Sequence, residues 1–430
     1  MKISILVVVV LLFAARPAPA APDAEAVSAL AQLRGQAGSV LVAPPPPPAA
    51  PAPTDWSGYR KQIEAAAGAL DAGRNTIHFL VDGQAADALK NDVSRAWSSI
   101  HIEVFQWQGD ADGLAFARAL AAKAALGVRV RVLLDQYGTD PDDPQIAALL
   151  KVLRGGGVQV LVRPAPFLDG HLDHRKVVVI DGAVGFAGGM NIGGRYQAQW
   201  HDQLSEIRGP AVADLQRAFL AQWRALGGTV DADENLFPAP AAQPGGYETL
   251  VVAHEGGGKD KNIKKAYLDA FAGAQRLIRV ADPYLVDADI IAGLEAAARR
   301  GVKVQIIEPR LNDQKIVQGA ARAYYPGLIA AGVEVYEYQP RMAHEKVAVV
   351  DNEWTTFGSS NLDARSLADN DELNIVAFGA GLADDVESVL FEPDLKNSAR
   401  VFGYDPSLGQ VLERSVSWLL ERKTPEPTAL

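Results

Sequence analysis

At 430 residues, with 48% hydrophobic and 22% charged side chains, the chain has the make-up of a globular protein of two or three domains, each able to bury a core. A formal charge of -11 argues against a polyanion as main partner, because nucleic-acid binding rests on Lys and Arg neutralising phosphates. The lack of cysteine excludes disulfides, thiol chemistry and lipoprotein attachment, so packing must stabilise the fold.

In chain order, Lys2, the apolar run Ile3 to Ala15 and the small residues Ala18-Pro19-Ala20 have the pattern of a secretory signal peptide over 1–20. The run is short of the roughly 20 residues a membrane-spanning helix needs. The expectation is an exported protein, periplasmic or secreted; the alternative is an uncleaved signal anchoring it to the outer face of the inner membrane. Residues 21–55 form an Ala/Pro-rich linker whose run Pro44 to Pro48 favours an extended polyproline spacer.

Strand and helix patterns then alternate. Thr76 to Val81, Ile100 to Trp107, Val128 to Leu134 and Val158 to Val162 read as strands, separated by helical spacings at Ala85 to Ala96, Gly113 to Leu126 and Pro144 to Leu153. A Pro/Gly-rich stretch, Phe237 to Gly246, divides a first domain, 56–240, from a second, 241–430. The second repeats the order: strand Leu277 to Ala281, helix Ala288 to Arg300, strand Val302 to Ile307, a helix near Val317 to Ala331, strand Val333 to Tyr338, and a final helix near Leu408 to Glu421. The expected fold is α/β, two pseudo-symmetric α-β-α domains with mostly parallel sheets.

The halves are tied by an internal duplication. The windows His174 to Asp202 and His344 to Glu372 superpose without a gap, His174 on His344, Lys176 on Lys346, Asp181 on Asp351, Asn191 on Asn361, Arg195 on Arg365 and Asp202 on Glu372. On a strand, residues two apart share a face, so each imidazole has an ammonium beside it. Gly189 and Asn191 in one window, Ser359 and Asn361 in the other, add small residues and amide donors, completing a cradle for an anion such as a phosphodiester. Two histidines can divide the chemistry. A neutral one attacks phosphorus to form a phosphohistidine, while a protonated one gives its proton to the departing alcohol and later activates water or an acceptor alcohol. Asp202 and Glu372, each 28 residues after the histidine of its window, can accept the second ring N–H and fix the tautomer. The scheme needs no cofactor and no metal.

Asp181 and Asp351, at strand ends beside turn residues, read as structural hydrogen-bond acceptors rather than reactants. His171 and Asp173 beside His174 could suggest a metal cluster, but Met342 and Ala343 stand at the matching place before His344. His101 reads as a hydrogen-bonded strand residue, and Trp107, Trp200 and Trp354 as core or cleft wall.

The stretches HRKVVVID with GFAGGMNIGGRY, and HEKVAVVD with FGSSNLDARS and NDELN, resemble the two HKD motifs of the phospholipase D superfamily. SIHIEVFQW, GVRVRVLLD, ADPYLVDADI and RRGVKVQIIEP narrow the resemblance to its bacterial cardiolipin synthase branch, from about Thr76 to about Arg400. The resemblance implies one active centre between the halves, built from His174, Lys176, Asn191, Asp202, His344, Lys346, Asn361 and Glu372, with His174 as nucleophile and His344 as acid. It implies a phosphatidyltransferase acting on phospholipid at a membrane surface as a monomer, with an alcohol or water as acceptor. Hydrolysis to phosphatidic acid, nuclease action and non-catalytic lipid binding are the alternatives. His201 stands where the family commonly has arginine, and Gly194 where it often has an acid.

Overall fold

A computed structural model describes residues 55–67, 74–164, 171–240, 243, 245–257, 261–407 and 410. The expected signal segment, the Pro-rich linker up to residue 54 and all but Gln410 of the expected C-terminal helix lie outside them.

The first half runs α1 (Trp56–Ala67), β1 (Arg74–His78), α2 (Asp82–Arg95), β2 (Ser99–Val104), α3 (Ala111–Ala125), β3 (Arg129–Asp135), α4 (Pro144–Gly155), β4 (Gln159–Arg163), β5 (Lys176–Ile180), β6 (Val184–Gly188), β7 (Trp200–His201), β8 (Leu204–Arg208) and α5 (Ala211–Ala225). The second runs β9 (Tyr247–His254), α6 (Asn262–Gly273), β10 (Leu277–Ala281), α7 (Ala288–Arg299), β11 (Lys303–Pro309), α8 (Lys315–Arg322), α9 (Tyr325–Ala331), β12 (Glu334–Tyr338), β13 (Met342–Ala343), β14 (Val347–Val350), β15 (Trp354–Gly358), β16 (Glu372–Phe378), α10 (Ala380–Val386), α11 (Glu392–Lys396) and β17 (Ser398–Val401). Local chemistry sets several boundaries. Asp110 accepts from the Gly113 N–H to cap α3, and Asp143 with Pro144 behind it starts α4.

All the longer strands join one 15-stranded sheet in the order β17-β12-β11-β10-β14-β15-β16-β9-β1-β8-β6-β5-β2-β3-β4. Apart from the edge strand β17, each side of the β1–β9 junction mirrors the other. The expectation of mostly parallel sheets is corrected here. Parallel pairing is confined in this sheet to β2–β3–β4 and β10–β11–β12, where helices make the crossovers. Each duplicated window instead folds as an antiparallel hairpin with a returning strand, β5-β6-β8 and β14-β15-β16. The turns between β5 and β6 and between β14 and β15 are far shorter than the dozen or so residues a parallel crossover requires. The expected helix over Val317 to Ala331 is also two helices. Pro326 stands in the first turn of α9, where its missing N–H costs nothing, but it could not continue α8.

Because side chains alternate along a strand, each hairpin serves two cores. Val178 and Ile180 pack under α2 to α4, and Ala348 and Val350 under α6, α7 and α9. Val177, Val179, Val347 and Val349 face the opposite way, into an apolar cluster drawn from both halves with Phe79 edge-on to Phe357 at 5.7 Å. That shared core fixes the two hairpins relative to each other, and with them the histidines at their starts.

Candidate active site

His174 and His344 precede β5 and β14 at the point where each chain crosses to the other half. The His174 N–H donates to the Asp371 carbonyl (2.9 Å), and the His344 N–H to the His201 carbonyl (2.7 Å). Both bonds belong to short parallel bridges, Asp173 with Asp371 and Met342-Ala343 with Trp200-His201. Backbone hydrogen bonding therefore sets each histidine against the opposite window.

The carboxylates follow that crossing. His174 Nδ1 lies 3.0 Å from Glu372 Oε1, and His344 Nδ1 lies 2.7 Å from Asp202 Oδ2. Spacing alone attaches each acid to the histidine of its own window, whereas the structure exchanges them. Each acid has its second oxygen occupied. Ser359 Oγ donates to Glu372 Oε2 (2.5 Å), and the Gln203 N–H donates to Asp202 Oδ1 (2.8 Å). With Nδ1–H donated to a carboxylate, each ring keeps Nε2 as its free reactive nitrogen.

Gly189 and Ser359, expected to touch substrate, lie behind the carboxylates instead. A Cβ on Gly189 would stand 2.6 Å from Asp202 Oδ1, which is why this position carries no side chain where its counterpart carries serine. Lys176 and Lys346 are buried a layer behind the rings, each donating to the carbonyl of its own window's histidine, Lys176 at 2.5 Å. Asn191 accepts from the Gln106 N–H (3.0 Å), and Asn361 donates to Ser366 Oγ (3.3 Å). Asp181 and Asp351 share a different task. Asp181 accepts from the backbone N–H groups of Trp97, Ser98 and Ser99, and Asp351 from those of Gln275, Arg276 and Leu277. Each locks its hairpin turn to the neighbouring strand and sits in left-handed backbone, φ 54° and 55°.

Both histidines and both asparagines open on one cavity of about 520 Å³. Its wall includes residues that motif spacing does not reveal: Phe105, whose ring centroid is 4.9 Å from that of His174; Trp200, 4.9 Å from His344; and Gln106, Tyr137, Tyr196 and Tyr284. Most follow strands β2, β3 and β10, outside the duplicated windows; an alignment of β2 with β10 would point to Gln106 and Tyr284. Gly194 meets Asp110 and Asp112, whose carboxylates would repel an acidic side chain at this position; the Gly194 N–H donates to Asp110 Oδ2 (2.8 Å). Of the other histidines, His101 bonds to Gln216 and Arg131 and stacks on Phe219, while His171 pairs with Asp371.

Burial governs the charges. It pushes His174 down to about 4 against the upward pull of Glu372, and it lowers His344 as well, helped by Lys346. Lys176 falls to about 7, chiefly through burial, and Lys346 is lowered for the same reason. Burial would raise Glu372, but the His174 ring, Lys176 and Ser359 outweigh it and hold the carboxyl below the usual range. The resting centre thus holds fewer positive charges than its formula suggests, and an arriving anion would supply the countercharge that draws protons in.

Fold and site together define a duplicated two-histidine centre of the phospholipase D class, one His-Lys hairpin per half around one cavity. The profile described as cardiolipin synthase, PLD-like domain, matches the chain twice, at 89–223 and 267–392, and the chain belongs to that family. The cardiolipin synthase of Geobacillus kaustophilus (strain HTA426) is 38% identical over 301 residues, 66% of this chain and 59% of that protein. Cardiolipin synthase A of Pseudomonas putida (strain GB-1) is 33% identical over 333 residues, 74% of this chain and 68% of that one. The chain thus spans less than two thirds of the first of these relatives. The phosphatidylserine synthase of Haemophilus influenzae Rd KW20 shares the fold, with a TM-score of 0.65 at 14% identity over 84% of this chain and 99% of that one. Among the described residues no helix is long and apolar enough to cross a membrane.

Proposed function

We propose that the protein is a phosphatidyltransferase of cardiolipin synthase type, cleaving a glycerophospholipid phosphodiester through a phosphatidyl-histidine intermediate. One observation carries the reading: two histidines present Nε2 to one cavity, each held by a buried carboxylate from the opposite half. The Nε2 of one attacks phosphorus while the bond to the head-group oxygen breaks and the other histidine delivers a proton to that oxygen. An acceptor alcohol then gives its proton to the second histidine and attacks phosphorus, and the N–P bond breaks. His174 is the nucleophile by analogy with the family. Buried Lys176 and Lys346 oppose the charge gathering on the phosphoryl oxygens, and Asn191 and Asn361 orient them. The cavity suits a phosphate with its polar substituents. We place the protein outside the cytoplasm, periplasmic or secreted, on the strength of the signal-like pattern behind Lys2.

The test is incubation of the purified protein with phosphatidylglycerol vesicles and, separately, with DNA, products being read by mass spectrometry. Cardiolipin with free glycerol supports transfer. Phosphatidic acid alone would reassign the protein as a hydrolase, and nicked DNA with untouched lipid would sink the lipid reading.

A further inference from the structure

Behind His344 lies a second polar cluster that the phosphodiester chemistry does not use. One ligand atom each from His201, Glu345 and Asp394 lies within 4.8 Å of the others, and all three residues are buried. Glu345, between His344 and Lys346 in the chain, is 1% exposed, yet neither of its carboxylate oxygens has a hydrogen-bond partner. Burial without a hydrogen bond disfavours a carboxylate unless a cation or a proton answers its charge. The neighbouring His201 ring makes no hydrogen bond to it, because its Nδ1 lies 3.0 Å from Asp82 and its Nε2 3.1 Å from Asp394.

We propose that His201 Nε2, Glu345 and Asp394 form a site for a divalent transition-metal ion of zinc's kind. In this arrangement His201 is neutral, its Nε2 lone pair turns to the ion, and two carboxylates balance the ion's charge. One imidazole with two carboxylates is a donor set that zinc accepts. Asp82 supplies the outer support such a ligand needs. It accepts the Nδ1–H, is itself held by the Asp202 N–H (3.0 Å) and Arg341, and so fixes the tautomer that leaves Nε2 free. His201 belongs to the first half and the two acids to the second. The ion would therefore staple the halves behind His344, whose N–H bonds the His201 carbonyl and whose carboxylate partner, Asp202, is the next residue.

The test uses the full chain, stripped by chelator and dialysed against zinc alone, with readouts independent of activity. The expected result is about one zinc per chain by mass spectrometry and a raised unfolding temperature. Glu345→Gln should weaken zinc binding at least tenfold, and Asp82→Asn by about 10- to 100-fold. Zinc K-edge absorption of the wild-type protein carries the test if a variant fails to fold: one imidazole with oxygen neighbours supports the site, whereas two imidazoles would put the ion between His174 and His344 and overturn it. Failure of the stripped, folded protein to take up zinc, or unchanged binding by Glu345→Gln, overturns it too.

Discussion

His174 Nδ1 and Glu372 Oε1 lie 3.0 Å apart although 198 residues separate them, and the matching pair, His344 with Asp202, closes the same loop in reverse. Neither half can therefore assemble a complete histidine–carboxylate pair alone. Glu372→Gln should leave the His174 ring packed but lose its tautomer control. We expect kcat to fall by on the order of 100-fold or more, with KM little changed. Asp202→Asn should do the same through His344. Because both pairs serve one reaction, the double variant should be far less impaired than the product of the two single losses, which steady-state kinetics on the four proteins would check. Multiplicative losses would mean the two pairs act independently.

Gly189 supplies a steric test of the same geometry. A methyl group there would meet Asp202 Oδ1 at 2.6 Å, with the His344 carbonyl and Lys346 at 3.3 Å. Gly189→Ala should displace the carboxylate that holds His344 and cost kcat at least tenfold, whereas Ser359→Ala removes only one donor to Glu372. An equal loss in both would mean that crowding at Asp202 is not what disables the first.

Asp181 and Asp351 should prove to be stability residues. Each accepts three backbone N–H groups at a hairpin turn, and replacing either by alanine strands those donors. Asp351→Ala should cost about 2–3 kcal/mol in urea unfolding, while the molecules that remain folded keep their turnover. A collapse of kcat at unchanged stability would return this residue to the chemistry.

The duplication made half of this site legible. A constant offset exposed His174, Lys176, Asn191 and their partners because both windows keep an identical hairpin with no room for an insertion. The exchange of carboxylates was not legible, since the 28-residue spacing points each acid to the histidine of its own window and only the bridges at Asp173 and Ala343 turn the histidines to the opposite one. The roles of Gly189 and Ser359 were misjudged for a related reason: a small residue beside a reactive one looks the same in sequence whether it faces substrate or supports a carboxylate. Parallel order was over-read because strand–helix alternation in the first four strands of each half was extended to hairpins that contain no helix.

The pH dependence follows from burial of the histidine. His174 is pushed down to about 4 from an ordinary 6.5, and attack requires the neutral ring. Protonation of His174 should therefore limit kcat/KM only near pH 4, so activity should persist through pH 5 to 6, where an exposed histidine would already be lost. The stability contribution has a definite sign. Between pH 6.5 and 4 the unfolded chain holds a proton on this histidine that the folded chain does not, so the term favours folding above 6.5 and is lost as pH falls through the window. Glu372 adds a term of the same direction, its lowered folded value being surrendered on further acidification. Glu372→Gln removes the upward pull on the ring, so the acid limb should move lower still in that variant. A profile for kcat/KM that breaks near 6.5 in the wild type would show that the ring is not desolvated in the free enzyme.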